Sequence, residues 1–140
     1  MKKILWLVLC LSVTPLCAQQ IDLKKASVAV SPSIPLPMRE TAPRMLREEI
    51  SSRTKLRPGT GFSAVTIALV LAGDRQLDGK QVPAGAAVDK AEGFRVVSES
   101  GPKNTTVWII GADARGVLFG SGWLLRHLRM GAGTLDLPAR

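Results

Sequence analysis

The chain has 140 residues, 46% of them apolar and 21% charged, with a formal net charge of +8. That length predicts one domain and excludes a (β/α)8 barrel within it, since such a barrel takes about 250 residues. The balance of apolar and charged residues is that of a globular domain and excludes a disordered tail. Without Lys2 and Lys3 the charge is +6, and the remaining basic residues are scattered, with aromatics at only 4%. This reads as a solvated surface and not a nucleic-acid face; an acidic partner such as a uronic-acid polymer is the alternative.

Lys2 and Lys3 precede an apolar run from Ile4 to Val13, then Pro15 and Leu-Cys-Ala-Gln-Gln. A positive start, a short apolar run and a small residue form an export signal, so residues 1–18 are expected to be a signal peptide cleaved after Ala18. The run is too short to span a membrane, which takes about 20 residues. The protein is therefore expected to be exported, periplasmic or secreted, without a membrane span. Both cysteines, Cys10 and Cys17, lie inside this segment. Cleavage after Ala18 leaves a mature chain with no disulfide, which leans bacterial. Lipid attachment at Cys17 is the alternative, although Leu16 before it is larger than such signals favour.

Residues 19–25 read as a linker. Ser27–Val30 is a short strand, and the prolines at 32, 35 and 37 keep the next stretch extended. Thr41-Ala-Pro-Arg44 is predicted to open a helix, with Thr41 or a neighbour as cap and Pro43 in its first turn. Met45, Leu46 and Ile50, with the stem of Arg53, form its core stripe. Arg57–Gly61 is a turn. Phe62–Leu71 alternates as a central strand, and Ala72–Gly85 is a loop with Asp78-Gly79 as a turn signal. Gly93–Glu99 and Thr105–Ile110 are two further strands. Five intervening residues cannot make a parallel crossover, so this pair is antiparallel.

Asp113 caps a second helix predicted to run to about Met130, with Ala114, Val117, Leu118, Ser121, Leu124, Leu125 and Leu128 on one face. Gly116 and Gly120 would each cost a helix interior about 1 kcal/mol, so close approach of the helix to the sheet is expected there. Gly131-Ala-Gly133 is read as the helix stop, and Thr134 to Pro138 as the start of another segment. Together these elements predict an α+β, two-layer domain. Its sheet is expected to be mixed and mostly antiparallel, with about four strands and two helices packed on one face. The domain is expected to cover residues 26–137, with residues 138–140 expected to begin a missing C-terminal region.

One stretch has the form of a known junction. Asp113-Ala-Arg-Gly116, followed by an apolar residue, Phe119, Gly120 and then Leu124, Leu125 and Leu128, resembles the small non-catalytic N-terminal domain of family twenty glycoside hydrolases. These are β-N-acetylhexosaminidases, and the domain is shared with α-glucuronidases. Glu92-Gly-Phe-Arg-Val resembles the strand that precedes that junction. The resemblance covers residues 26–137 and implies a supporting domain whose structural motif is Asp113, Arg115, Gly116, Phe119 and Gly120. It also implies that the catalytic acid stands on a barrel absent from these 140 residues, so no catalytic residue is assigned.

Other chemistry is weak. His127 is the single histidine and no His-Glu-x-x-His occurs, so a histidine-built zinc site is excluded and neither metal nor cofactor is expected. His127 itself reads as a surface group near a helix C-terminus. Asp113 reads as a cap and Arg115 as a tie to a neighbouring acceptor, with a reach toward a barrel or a sugar as the sharper alternative. Asp74 and Asp78 share a loop, but nothing there fixes the cleft that a pair of glycosidase carboxyls needs. Gly111 to Gly116 lacks the Lys and Ser/Thr of a phosphate loop. Trp108 and Trp123 either pack in the core or stack on sugars.

The expected function is an accessory domain of an exported glycoside hydrolase resembling a β-N-acetylhexosaminidase, with the catalytic barrel as partner and polysaccharide as a further one. A free-standing periplasmic polysaccharide-binding module and the N-terminal domain of an α-glucuronidase are the alternatives. The chain alone is expected to be inactive.

Overall fold

The structure, a computed structural model, describes residues 19–139. The expected signal peptide, with Cys10 and Cys17, lies outside the described residues, as does Arg140.

The centre of the molecule is a sheet in the order β3-β2-β4-β8-β7. Its members are β2 (Ser27–Val30), β3 (Gly59–Thr60), β4 (Val65–Leu71), β7 (Phe94–Ser100) and β8 (Thr105–Gly111). Strand β2 runs parallel to β3 and β4, and β4 parallel to β8. The β7–β8 pair is the antiparallel hairpin that its short connection demands. Three short antiparallel ladders elsewhere join β5 (Gln76–Leu77) to β6 (Lys80–Gln81), and β10 (Thr134–Leu137) to β1 (Ile21–Asp22) and β9 (Arg129–Gly131). Four of the seven ladders among the described residues are therefore antiparallel. With two helices, this is the expected α+β mixed-sheet domain, carrying more than the four strands expected.

Alternation along β4 and β8 divides the core, because successive side chains leave a strand on opposite faces. Ile67, Leu69, Val107 and Ile109 pack under α1 (Met38–Thr54) and α2 (Ala114–His127), together with Leu46, Ile50, Val117 and Leu124. Ala68, Val70, Trp108 and Ile110 turn the other way and meet Leu77 from the β5–β6 hairpin. Both faces of the central strands are thus covered, which is why β4 reads as a nearly continuous apolar run. The two residues at the tip of the β5–β6 hairpin, Asp78 (φ 47°) and Gly79 (φ 78°), both have positive φ, the geometry that an Asp-Gly pair favours.

Strand β4 starts at Val65 and not at Phe62, and the loop expected over residues 72–85 holds the β5–β6 hairpin; three further boundaries differ from expectation. Helix α1 starts at Met38, not after Thr41, and Pro37 stands at its cap without a side-chain hydrogen bond. The carbonyls of Pro35 and Pro37 accept the N–H groups of Arg39, Glu40 and Thr41, so no capping side chain is needed. Pro43 consequently lies in the second turn, and Arg53 is exposed and outside the core stripe. Helix α2 ends at His127, where Leu128 turns extended (φ −70°, ψ 138°). The residues read as helix end and unfinished segment are the β9–β10 hairpin, and Gly133 (φ 71°) sits in its turn. Finally, the residues read as a linker hold β1, with Leu23 fully buried beside Leu135. Burying Leu23, Leu128 and Leu135 in one cluster outweighs the helical pattern that continues past His127.

Candidate functional site

The β8–α2 junction is where the motif residues meet. Asp113 is the extended residue ahead of α2 (φ −148°, ψ −178°), and its Oδ1 accepts the Gly116 N–H at 2.8 Å. Its Oδ2 accepts the N–H of Glu92 at 2.9 Å. One carboxylate thus caps the helix and also ties down the residue two positions before β7. These bonds, from Glu92 first and Gly116 second, hold the Asp113 carboxyl below its ordinary value, and the charge of Arg115 adds to them.

Around that carboxylate the backbone is locked. Glu92 has φ 62°, and the Gly93 carbonyl accepts the Ala112 N–H at 2.9 Å. A Cβ on Gly116 would collide with that same Gly93 carbonyl. A Cβ on Gly120 would fall 2.6 Å from the Ile109 Cγ2 and 3.2 Å from Phe94. The two helix glycines therefore exist for contact with β7 and β8, as their spacing predicts. Arg115 Nη1 pairs with Glu92 Oε1 at 2.6 Å, with Arg115 largely and Glu92 partly in solvent. In that exposed setting the pair orients the segment more than it stabilises it. The guanidinium also lies 5.8 Å from the centre of the Phe119 ring. Phe119 is 41% exposed, unusual for a large apolar side chain in this domain.

The junction holds no nucleophile beside a base and no two acids converging on a cleft. Asp74 spends Oδ2 on the Ser33 hydroxyl (2.8 Å) and the Leu71 N–H (2.9 Å), while Asp78 serves the hairpin tip. Trp108 is fully buried and donates its Nε1–H to Glu99 Oε2 at 3.1 Å, so it is a core residue. Trp123 is half-buried and stacks on His127 with ring centres 3.8 Å apart. It lines a groove of about 300 Å³ with Ile21, Val96, Ser98 and Leu137. The His127 Nδ1 lies 2.7 Å from the Trp123 carbonyl, so Nδ1 carries a proton and donates it. His127 is thus half-buried and engaged, and not the surface group that its lone position suggests. Among the described residues no cluster of His, Cys, Asp or Glu has the makings of a metal site, and no helix is long and apolar enough to cross a membrane.

The sequence reading missed Arg95. Its place on β7 between Phe94 and Val96 puts it on the face away from the helices, where it donates to the Pro83 carbonyl at 2.9 Å. A charged residue inside an otherwise apolar strand was the available signal.

The fold has a counterpart among solved structures, where it forms part of a glycoside hydrolase chain. The GH20 β-N-acetylhexosaminidase from Streptomyces coelicolor A3(2) superposes with a TM-score of 0.53 at 22% identity, over 86% of this chain and 22% of that one. This chain thus spans about a fifth of that enzyme, and what the likeness shows is a common fold. A GH138 enzyme targeting pectin rhamnogalacturonan II is more distant, with a TM-score of 0.47 at 15% identity over 73% of this chain and 13% of that one. No family model matches the chain. No curated protein matches it either.

Proposed function

We propose that this chain is a non-catalytic accessory domain of an exported glycoside hydrolase whose parent activity is that of a β-N-acetylhexosaminidase. The observation that carries the reading is the fold shared with part of a GH20 β-N-acetylhexosaminidase. The interlock of Glu92-Gly-Phe94 with Asp113 to Gly120 supports it, because the two segments that resemble the family in sequence hold each other in space. Its role is to pack against a catalytic barrel and stabilise it, with Arg115 and the exposed Phe119 on the outer side of α2 as the contact surface. An α-glucuronidase parent ranks second. Export to the periplasm or the medium rests on residues 1–18.

The test is to read the coding sequence past Arg140 and assay the purified chain on chromogenic N-acetyl-β-D-glucosaminide. A continuation of barrel length, about 250 residues, with no turnover by the chain alone, is the expected result. Turnover by the chain alone overturns the reading. A stop codon together with binding of polysaccharide would favour a free-standing binding module instead, which the groove beside Trp123 supports.

A further inference from the structure

On the face of the sheet opposite the helices, the chain from Val82 to Lys90 passes over Arg95. Of the five N–H donors of this guanidinium, one is used, by the Pro83 carbonyl. Its Nε is buried with no acceptor, and none of the three ion pairs among the described residues involves Arg95. Gly85 lies so close that a Cβ there would overlap Nη1 and come within 3.0 Å of Cζ. Arg95 borders a cavity of about 490 Å³ whose wall includes Arg75, Pro83, Gly85, Ala87 and Ile110. That volume is within the range of roughly 300–1,000 Å³ for small-molecule sites. Asp74 also borders it, but its carboxylate is turned to Ser33 and Leu71.

The Nε of Arg95 is sealed from the cavity, but the guanidinium keeps unspent Nη donors on a half-buried cation at the cavity wall, where an acceptor can meet them. Arginine meets oxyanions with a planar array of N–H groups. Two arginines against one aspartate leave a single excess positive charge, which suits a monoanion such as a carboxylate better than a phosphate dianion. Small and apolar residues leave room for the body of the ligand. We infer that the cavity between β7 and the 82–88 segment binds a small carboxylate of monosaccharide size, a uronic acid residue, with Arg95 as the principal donor and Arg75 as a second cation.

The test is a titration of the ¹⁵N-labelled chain with glucuronate, galacturonate, glucose 6-phosphate and glucose, followed at the backbone amides and the arginine Nε–H signals. Saturable shifts at Gly85, Ala87 and the Arg95 Nε–H are expected with a uronate and not with glucose. Arg95→Gln is expected to weaken the uronate by tenfold or more, and Arg75→Gln by about threefold; Arg126→Gln, on α2, is expected to leave it unchanged. If Arg95→Gln does not fold, Arg75→Gln decides, and full affinity in that variant overturns the assignment. Equal response to glucose, tighter binding of glucose 6-phosphate, or no saturable shift would each overturn it too. Because the readout is binding by this chain alone, the result is independent of whether a catalytic barrel follows.

Discussion

At the scale of single residues, Asp113 and the glycines around it decide the junction. The folded-state pKa of Asp113 lies below its ordinary 3.8. The ionised carboxylate therefore adds stability that is fully present above that value and is lost as pH falls through the lower, folded-state value. Asp113→Ala is expected to lower the melting temperature at pH 7, with the gap to the parent chain closing under acid; pH-resolved thermal melts check it. A gap that widens toward low pH would refute this account. The glycines differ in sign. At Gly116 an added methyl meets a backbone carbonyl that cannot yield, so Gly116→Ala is expected to cost about 2 kcal/mol, in the range of overpacking. At Gly120 an added methyl would fall 2.6 Å from the branch methyl of Ile109, which is fully buried, and 3.3 Å from the Phe94 Cβ, so alanine there is also expected to destabilise, by about 1–3 kcal/mol. At Gly122 the nearest atom is Arg126 Nη1 at an ordinary 3.5 Å, so alanine is expected to stabilise by up to about 1 kcal/mol. Urea unfolding of the three variants gives the order.

At the scale of elements, the strands were the most legible part. Short apolar runs bounded by turn signals placed β2 with its observed ends and β8 to within one residue, because these strands are buried on both faces. The ends of the helices were harder to read. At the start of α1 backbone carbonyls do the capping, and no residue type announces that. At its end Lys55 occupies a left-handed position (φ 64°), its N–H bonded to the Ser51 carbonyl at 3.0 Å. Left-handed backbone costs a residue with a Cβ roughly 1–2 kcal/mol, and part of any gain from glycine is lost to unfolded-state entropy. Lys55→Gly is therefore expected to raise stability by about 0.5–1 kcal/mol. A lower melting temperature in that variant would count against the left-handed cap. Ile109, fully buried on the helix-covered face of β8, gives the opposite case: Ile109→Ala is expected to cost about 2–5 kcal/mol in the same unfolding assay.

Across the whole molecule, the small β1-β10-β9 sheet joins the two ends of the described chain. The Leu23 N–H donates to the Leu135 carbonyl at 2.8 Å, and Gly133 donates to the Thr54 carbonyl at 2.7 Å, fastening the hairpin to the end of α1. Leu135 is 1% exposed, so Leu135→Ala is expected to destabilise by about 2–5 kcal/mol. Hydrogen exchange should then rise together in β1, β9 and β10. Loss of protection confined to β10 would show that the ends are not coupled.

The local chemistry of the chain determined the parts whose partners are near in sequence. These are the Asp113 cap, the Asp78-Gly79 turn and the β7–β8 hairpin. The tertiary structure alone decided what depends on distant partners. It made residues 21–22 a strand by pairing them with 136–137, and it ended α2 at His127 by burying Leu128. It also brought Glu92 under Asp113 and left Arg95 beneath Gly85 without an acid. The physical reason is that a side chain declares its own preferences, while a backbone group or a charge can declare only that it needs a partner. Which partner answers is settled when the chain closes.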